Sequence, residues 1–195
     1  MRVLVACEES QVVTIAFRQK GHEAFSCDVQ ECSGGYPEWH LLGDMFDYTG
    51  LGWDLIIAHP PCTYIAVSGN AHYAGSTERE EAAKFIQRIW NLPIEKLCIE
   101  NPVGQINKYN KTMPKPQYIQ PWQFGDDASK KTGLWKRGLP NLVPTNIIKK
   151  DRYENQTPSG QNKLGPSPNR AKLRSKTYQG IAQAMADQWG EENAS

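Results

Sequence analysis

The chain has 195 residues, 39% hydrophobic and 10% aromatic, with 22 Lys and Arg against 21 Asp and Glu, a formal net charge of +1. That length suits one compact domain, or one with a small appendage, and such a chain buries roughly 70% of its unfolded surface without disulfide staples. The near-neutral total argues against a grossly basic DNA-coating protein, and the longest apolar stretch, around Leu55 to Ala58, falls far short of the ~20 residues of a membrane span.

Arg2 to Cys7 is a short apolar run that predicts a buried strand, and it meets Glu8-Glu9 too early for a signal-peptide core. Ser10 is placed to cap a helix over Gln11 to Lys20, which ends before Gly21. His22 to Cys27, ending in Asp28, predicts a second strand, and Trp53 to Ala58 a further one stopped by His59-Pro60-Pro61. Ser76 or Thr77 opens a helix to Trp90, with acidic residues in its first turn that favour the helix dipole. Lys96 to Glu100 reads as another strand. This alternation predicts an α/β fold with a mostly parallel, Rossmann-like sheet. Short strands are expected at Tyr118 to Gln120 and Thr132 to Trp135, a polar loop over 151–175, and an amphipathic helix from Thr177 to Trp189.

The neutral total hides an asymmetry. Residues 1–102 hold 7 basic and 14 acidic side chains, a net of −7, whereas residues 128–179 hold 12 basic and 2 acidic, a net of +10. That split suggests that one end of the chain handles a polyanion. The expected division is a catalytic core at 1–117, a small basic region at 118–175 and a C-terminal helix at 176–195 that packs back on the core. Five cysteines, an odd number, suit a reducing compartment and a cytoplasmic location. His22, Cys27, Cys32 and His40 are spaced too irregularly for zinc, and no metal is expected. Trp39, Trp53, Trp90 and Trp189 read as core. For Trp122, Trp135, Tyr109, Tyr118 and Tyr153 both core packing and base stacking stay open.

In open α/β sheets ligands gather at the carboxyl ends of the strands. The residues to read are therefore Cys7, Glu8 and Ser10; Asp28 and Val29; Asp44 and Met45; His59 to Cys62; and Glu100-Asn101. The first turn lacks a Gly-rich phosphate loop, which argues against a dinucleotide or nucleoside triphosphate. An acid after the second strand suits ribose hydroxyls, and Asp44 an adenine amino group. A cofactor with ribose and adenine but no phosphate fits these positions: S-adenosyl-L-methionine, with Pro61 and Gln179 added to its pocket. The Pro60-Pro61 turn holds the Cys62 thiol at a strand tip, where a thiolate attacks an electron-poor ring carbon while Glu100 serves a ring nitrogen. Taken singly, Cys62 reads as a buried thiol and Asp28 and Asp44 as turn residues. It is the constellation that points to chemistry.

At these residues the sequence resembles the DNA cytosine-5 methyltransferase family, and most closely its short phage and prophage members. Pro60-Pro61-Cys62 is similar to the family's Pro-Cys nucleophile motif, and Thr63 to Gly69 to its mobile catalytic loop, which brings Ser68 and Asn70 toward DNA. Ile99-Glu100-Asn101-Pro102 resembles the Glu-Asn-Val motif whose Glu holds the cytosine. Ser129 to Trp135 lies where the family has its Gln-x-Arg-x-Arg strand, which implies a catalytic part for Lys131. Arg174 to Met185 is similar in position to the motif that completes the cofactor pocket. The resemblance implies a methyl transfer to carbon 5 of cytosine through a Cys62 adduct, on DNA, double-stranded by expectation. Lys130, Lys136, Arg137, Arg170, Lys172 and Arg174 would grip phosphates.

Three departures qualify it. The first motif lacks the family's Phe and Gly pattern, Lys130 and Lys131 replace an Arg pair, and only Thr145 to Arg174 stand where typical members carry a large target-recognition domain. Short or relaxed specificity follows, and a homodimer would supply a second DNA-binding surface. The rival readings are carbon-5 chemistry on a free pyrimidine nucleotide, a modified S-adenosylmethionine donor, and a non-catalytic DNA-binding decoy. An amino-methyltransferase fits less well, since no aromatic follows Pro61.

Overall fold

The computed structural model describes residues 1–67, 70–165, 167 and 170–190. In chain order its elements are β1 (Arg2–Ala6), α1 (Val12–Gln19), β2 (Glu23–Asp28), β3 (His40–Leu42), α2 (Met45–Tyr48), β4 (Leu55–Ala58), α3 (Asn70–Tyr73), α4 (Thr77–Trp90), β5 (Lys96–Pro102), α5 (Ile106–Tyr109), β6 (Gln117–Ile119), β7 (Thr132–Arg137), α6 (Arg170–Ser175) and α7 (Gln179–Gly190). The strands form one sheet in the order β3-β2-β1-β4-β5-β7-β6. β1 to β5 run parallel, and β7 is antiparallel to both its neighbours. This is an α/β, Rossmann-like sheet.

The side-chain alternation of β1 and β4 builds two cores at once. Val3, Val5, Leu55 and Ile57 face one side, where they meet Val13, Ala16 and Phe17 of α1 and Ile181, Ala184, Met185 and Trp189 of α7. Leu4, Ala6, Ile56 and Ala58 face the other, against Ala83, Ile86 and Ile89 of α4 and Trp135 of β7. Hence both strands read as unbroken apolar runs. The sheet does not stop at residue 117: β6 and β7, from the basic region, complete its edge, and α7 packs on α1.

Several local details differ from the sequence expectation. Gln11 adopts a left-handed conformation (φ 59°), and no side chain caps α1 from that position. Glu8 does the work instead of Ser10: its carboxylate accepts from the amides of Val13 (2.6 Å) and Thr14 (3.2 Å) and from the Thr14 hydroxyl (2.7 Å). Ser76 does cap α4, accepting from the Arg79 amide. The strand expected from Trp53 starts at Leu55, and β7 runs two residues further than expected, to Arg137. β3, α2 and α5 span three or four residues, too few for a periodic pattern to show. The 151–175 loop ends in α6. Trp135 is 1% exposed and belongs to the core, whereas Trp39 is half-buried and stacks on Tyr36. No described helix is long and apolar enough to cross a membrane.

Candidate active site

β1 leads through α1 to β2 on one side and is paired with β4 on the other, so the sheet reverses its strand order at β1/β4. A crevice opens at the carboxyl ends of the strands at such a point. Cys62 hangs over it on the turn after β4. Asn101, 1% exposed at the end of β5, donates to the Pro60 carbonyl (2.7 Å) and so ties the Pro-Pro turn to the neighbouring strand. Beyond Cys62 the chain makes one tight turn, with the amides of Ile65 and Ala66 on the Cys62 carbonyl. That turn is pinned to the segment after β5 by Val67 to Val103 (3.0 Å) and Gln105 to Ile65 (2.9 Å). Gly104 permits the approach, since a Cβ there would lie 2.5 Å from the Ile65 oxygen. Ser68 lies outside the described residues, as do the side chains of Asn70, Arg170 and Lys172.

Glu100 is 8% exposed, beside Asn101 on β5. The His59 ring donates from Nδ1 to Glu100 Oε2 at 3.1 Å, and both side chains are almost fully buried. Burial pushes the Glu100 carboxyl up, but the His59 hydrogen bond, the Lys130 charge and the Thr132 hydroxyl outweigh it and hold the group below the usual carboxylate range. The Cys62 thiol moves the opposite way. Burial and the Glu100 charge raise it, with Lys130 and Arg174 opposing. A buried glutamate and a thiol at adjacent strand tips therefore share the field of one cation, Lys130 just before β7, and the thiol also feels Arg174 of α6. Lys130 Nζ donates to the Arg174 carbonyl (2.8 Å), which ties those two segments together.

The other expected basic residues go elsewhere. Lys131, one residue along, points away from Lys130 and lies over the Tyr118 ring, 4.7 Å from its centroid. β7 runs antiparallel to β5, so Thr132 is opposite Pro102 at the crevice end and Arg137 is opposite Leu97 at the far end. Arg137 donates to the carbonyls of Trp90, Leu92 and Ile94, and its guanidinium lies over the Trp90 ring. Lys136 donates to Asn141. Both are thus displaced from Cys62 by most of the length of β7, roughly 15 Å at about 3.3 Å per residue. Sequence proximity to Lys130 did not place them in one cluster.

On the other side of the crevice lie the residues expected to hold a cofactor. Asp28 closes β2 and accepts from the Gln30 amide through Oδ1 (2.9 Å). Val29 beside it is 75% exposed, an apolar side chain left bare next to a carboxylate. Asp44 is exposed and accepts from the Phe46 amide at the start of α2 (2.9 Å), while Met45 is buried. Cys7 adopts a left-handed bend (φ 57°), and burial together with Asp28, Cys27 and Asp44 pushes its thiol up to about 12, so it stays protonated. Ser10 is 8% exposed, Pro61 is exposed, and Gln179 is the exposed first residue of α7. A carboxylate flanked by a bare apolar surface fits the ribose and one face of the adenine of a nucleoside. The Val13 and Thr14 amides at the start of α1 are already taken by Glu8, so neither is left for a phosphate.

Among the described residues no three His, Cys, Asp or Glu side chains form a metal-holding group. His40, one of the residues considered for zinc, has Ser26 and Gln30 on its two ring nitrogens. His59 belongs to the strand-tip stretch that the sequence singles out, but the sequence gives it no role of its own; its contact with Glu100 comes from the pairing of β4 with β5.

No family model matches the chain, and no curated relative matches it. Among solved structures it is similar to a protein encoded within an E. coli prophage and inferred to be a DNA modification methyltransferase. The TM-score is 0.52 at 12% identity, over 76% of this chain and 52% of that one, so this chain spans about half the length of that protein. The likeness is one of fold: the Rossmann-like sheet and its flanking helices.

Proposed function

We propose that this chain is an S-adenosylmethionine-dependent DNA methyltransferase that modifies carbon 5 of cytosine through a covalent Cys62 adduct. The observation that carries the reading is the pairing of Cys62 and Glu100 at adjacent strand tips of a Rossmann-like sheet, both within the field of Lys130. The similarity in fold to the prophage-encoded protein supports DNA as the substrate class, and so do Lys130 and Arg174 at the mouth of the crevice, which suit phosphate.

Asp28, Val29 and Asp44 would hold the nucleoside part of S-adenosylmethionine, with Cys7 and Met45 beneath it. When bound, the cofactor supplies an electrophilic methyl group. The chain's own residues do the rest. The Cys62 thiol gives up its proton as Sγ bonds to C6 of the cytosine, N3 takes up a proton by way of Glu100, and C5 becomes the nucleophile of an enamine. Loss of the C5 proton then expels Cys62, and N3 gives its proton back, which restores the ring. The enzyme reaches this geometry only with the cytosine out of the base stack. The few residues between Thr145 and Arg174 imply that short sequences are read, if any, and that phosphate contacts provide most of the affinity.

Duplex DNA containing 5-fluorocytosine tests the reading, because fluorine at carbon 5 blocks the final elimination. With S-adenosylmethionine, the wild-type protein is expected to form an adduct that survives denaturation, and Cys62→Ser is expected to form none. No adduct with wild type at saturating cofactor overturns the carbon-5 mechanism on DNA. An adduct on free cytidine nucleotides but not on DNA would shift the substrate class.

A further inference from the structure

A thiol that must meet one ring carbon at a set distance and angle needs a backbone that holds still, and the backbone around Cys62 is tied on both sides. Before it, Asn101 of β5 donates to the Pro60 carbonyl at 2.7 Å. After it, the peptide unit between Tyr64 and Ile65 is held at both ends. Its N–H donates back to the Cys62 carbonyl (3.2 Å), and its C=O accepts from Nε of Arg79 (2.5 Å), 15 residues along in the first turn of α4. A peptide unit is planar, so fixing its carbonyl at one end fixes the direction of its amide at the other. Arg79 thereby aims the Ile65 amide at Cys62.

The needs of α4 do not explain this arginine. Among the described residues it is the one Lys or Arg that is buried, at 2% exposure, and burying a charge costs free energy unless its hydrogens are bonded. It also stands in the first turn of the helix, where the macrodipole disfavours a cation. Ser76 caps that turn through the Arg79 backbone amide, so the side chain has no part in the cap. We propose that Arg79 is a positioning residue for the Cys62 nucleophile, acting through the Tyr64–Ile65 peptide unit. This rests on the carbon-5 reading. Asn101 and Arg79 form two tethers from different elements, β5 and α4, one on each side of the cysteine. Together they set where Sγ lies relative to C6 of the base. Arg79 exchanges no proton and contributes through geometry alone, the kind of effect in which a misplacement of about 1 Å costs about 100-fold in rate.

The test is the rate of adduct formation on the fluorinated duplex at saturating DNA and S-adenosylmethionine, with the Kd for DNA and for S-adenosylhomocysteine measured beside it. Arg79→Met keeps the length of the side chain but has no donor. It is expected to lower the saturated rate by about 10- to 100-fold and to leave both Kd values within about twofold. Arg79→Lys keeps one donor on a flexible stem but not the planar fork, and its rate is expected to fall between those of wild type and Arg79→Met. A Met variant with the wild-type rate, a loss confined to Kd, or a Lys variant outside those two bounds overturns the tether and leaves the carbon-5 reading standing. No adduct with wild type overturns both. Should Arg79→Met fail to fold, Arg79→Lys decides alone: a loss of about threefold or more in rate with both Kd values unchanged supports the tether, and the wild-type rate or a loss in Kd overturns it.

Discussion

The two ends of β7 carry cations of the same kind in unlike surroundings. At the crevice end Lys130 faces Glu100 and Cys62, and its ammonium reaches the Arg174 backbone. At the far end Arg137 spends its guanidinium on the carbonyls that close the turn from α4 into β5, and Lys136 binds Asn141. Lys130 favours the ionised forms of two reactive groups. Arg137 ties down backbone oxygens that a helix end leaves without partners. Charge counted along the sequence cannot separate these roles, because an antiparallel strand carries neighbouring residues to opposite ends of the sheet.

The sharpest way to test that division is at Glu100. Glu100→Gln is expected to cut the adduct rate by about 100- to 10,000-fold, measured on fluorinated duplex. The same variant tests stability against pH. Glu100 lies below its usual value in the folded protein, so its contribution is present at neutral pH and is lost as pH falls through the folded value. The acid-side decline in melting temperature should therefore be shallower in the Gln variant.

Lys130→Ala comes next. Without that cation the Cys62 thiol rises further, so the adduct rate should drop roughly tenfold at neutral pH and recover as pH increases. A variant with the wild-type profile would remove Lys130 from the site. At the other end, Arg137→Ala should lose about 2–3 kcal/mol of stability in denaturant unfolding with DNA affinity unchanged. Weaker DNA binding with intact stability would reverse the comparison. Glu8→Ala, which strips the start of α1 of its acceptor, should cost about 1–2 kcal/mol. Lys136→Ala should move stability by less than about 0.5 kcal/mol.

Much of this was legible along the chain. β1, β4 and β5 are buried on both faces, so their apolar runs announce them, and the tips of those strands carry Cys62 and Glu100 in plain view. The amphipathic face of α7 could be read to the residue, since Ile181, Ala184, Met185 and Trp189 are all buried. The start of α1 could not. Ser10 is the residue type that caps helices, yet the left-handed turn at Gln11 puts the Glu8 carboxylate there. That geometry depends on Gln11 being fully buried and bonded to Ser26 and to both backbone groups of Tyr36, contacts 15 and 25 residues away.

The sequence by itself determined the α/β rhythm, the thiol after a rigid Pro-Pro turn, the carboxylate at the end of the next strand and the acidic and basic halves of the chain. Each of these is local, set by burial period, backbone restriction or residue type. Only the tertiary structure decided which lysine faces the thiol, why Arg137 does not, and that His59 leans on Glu100 across 41 positions of sequence. These are pairings between strands, fixed by the direction and register of β7 against β5 and of β5 against β4.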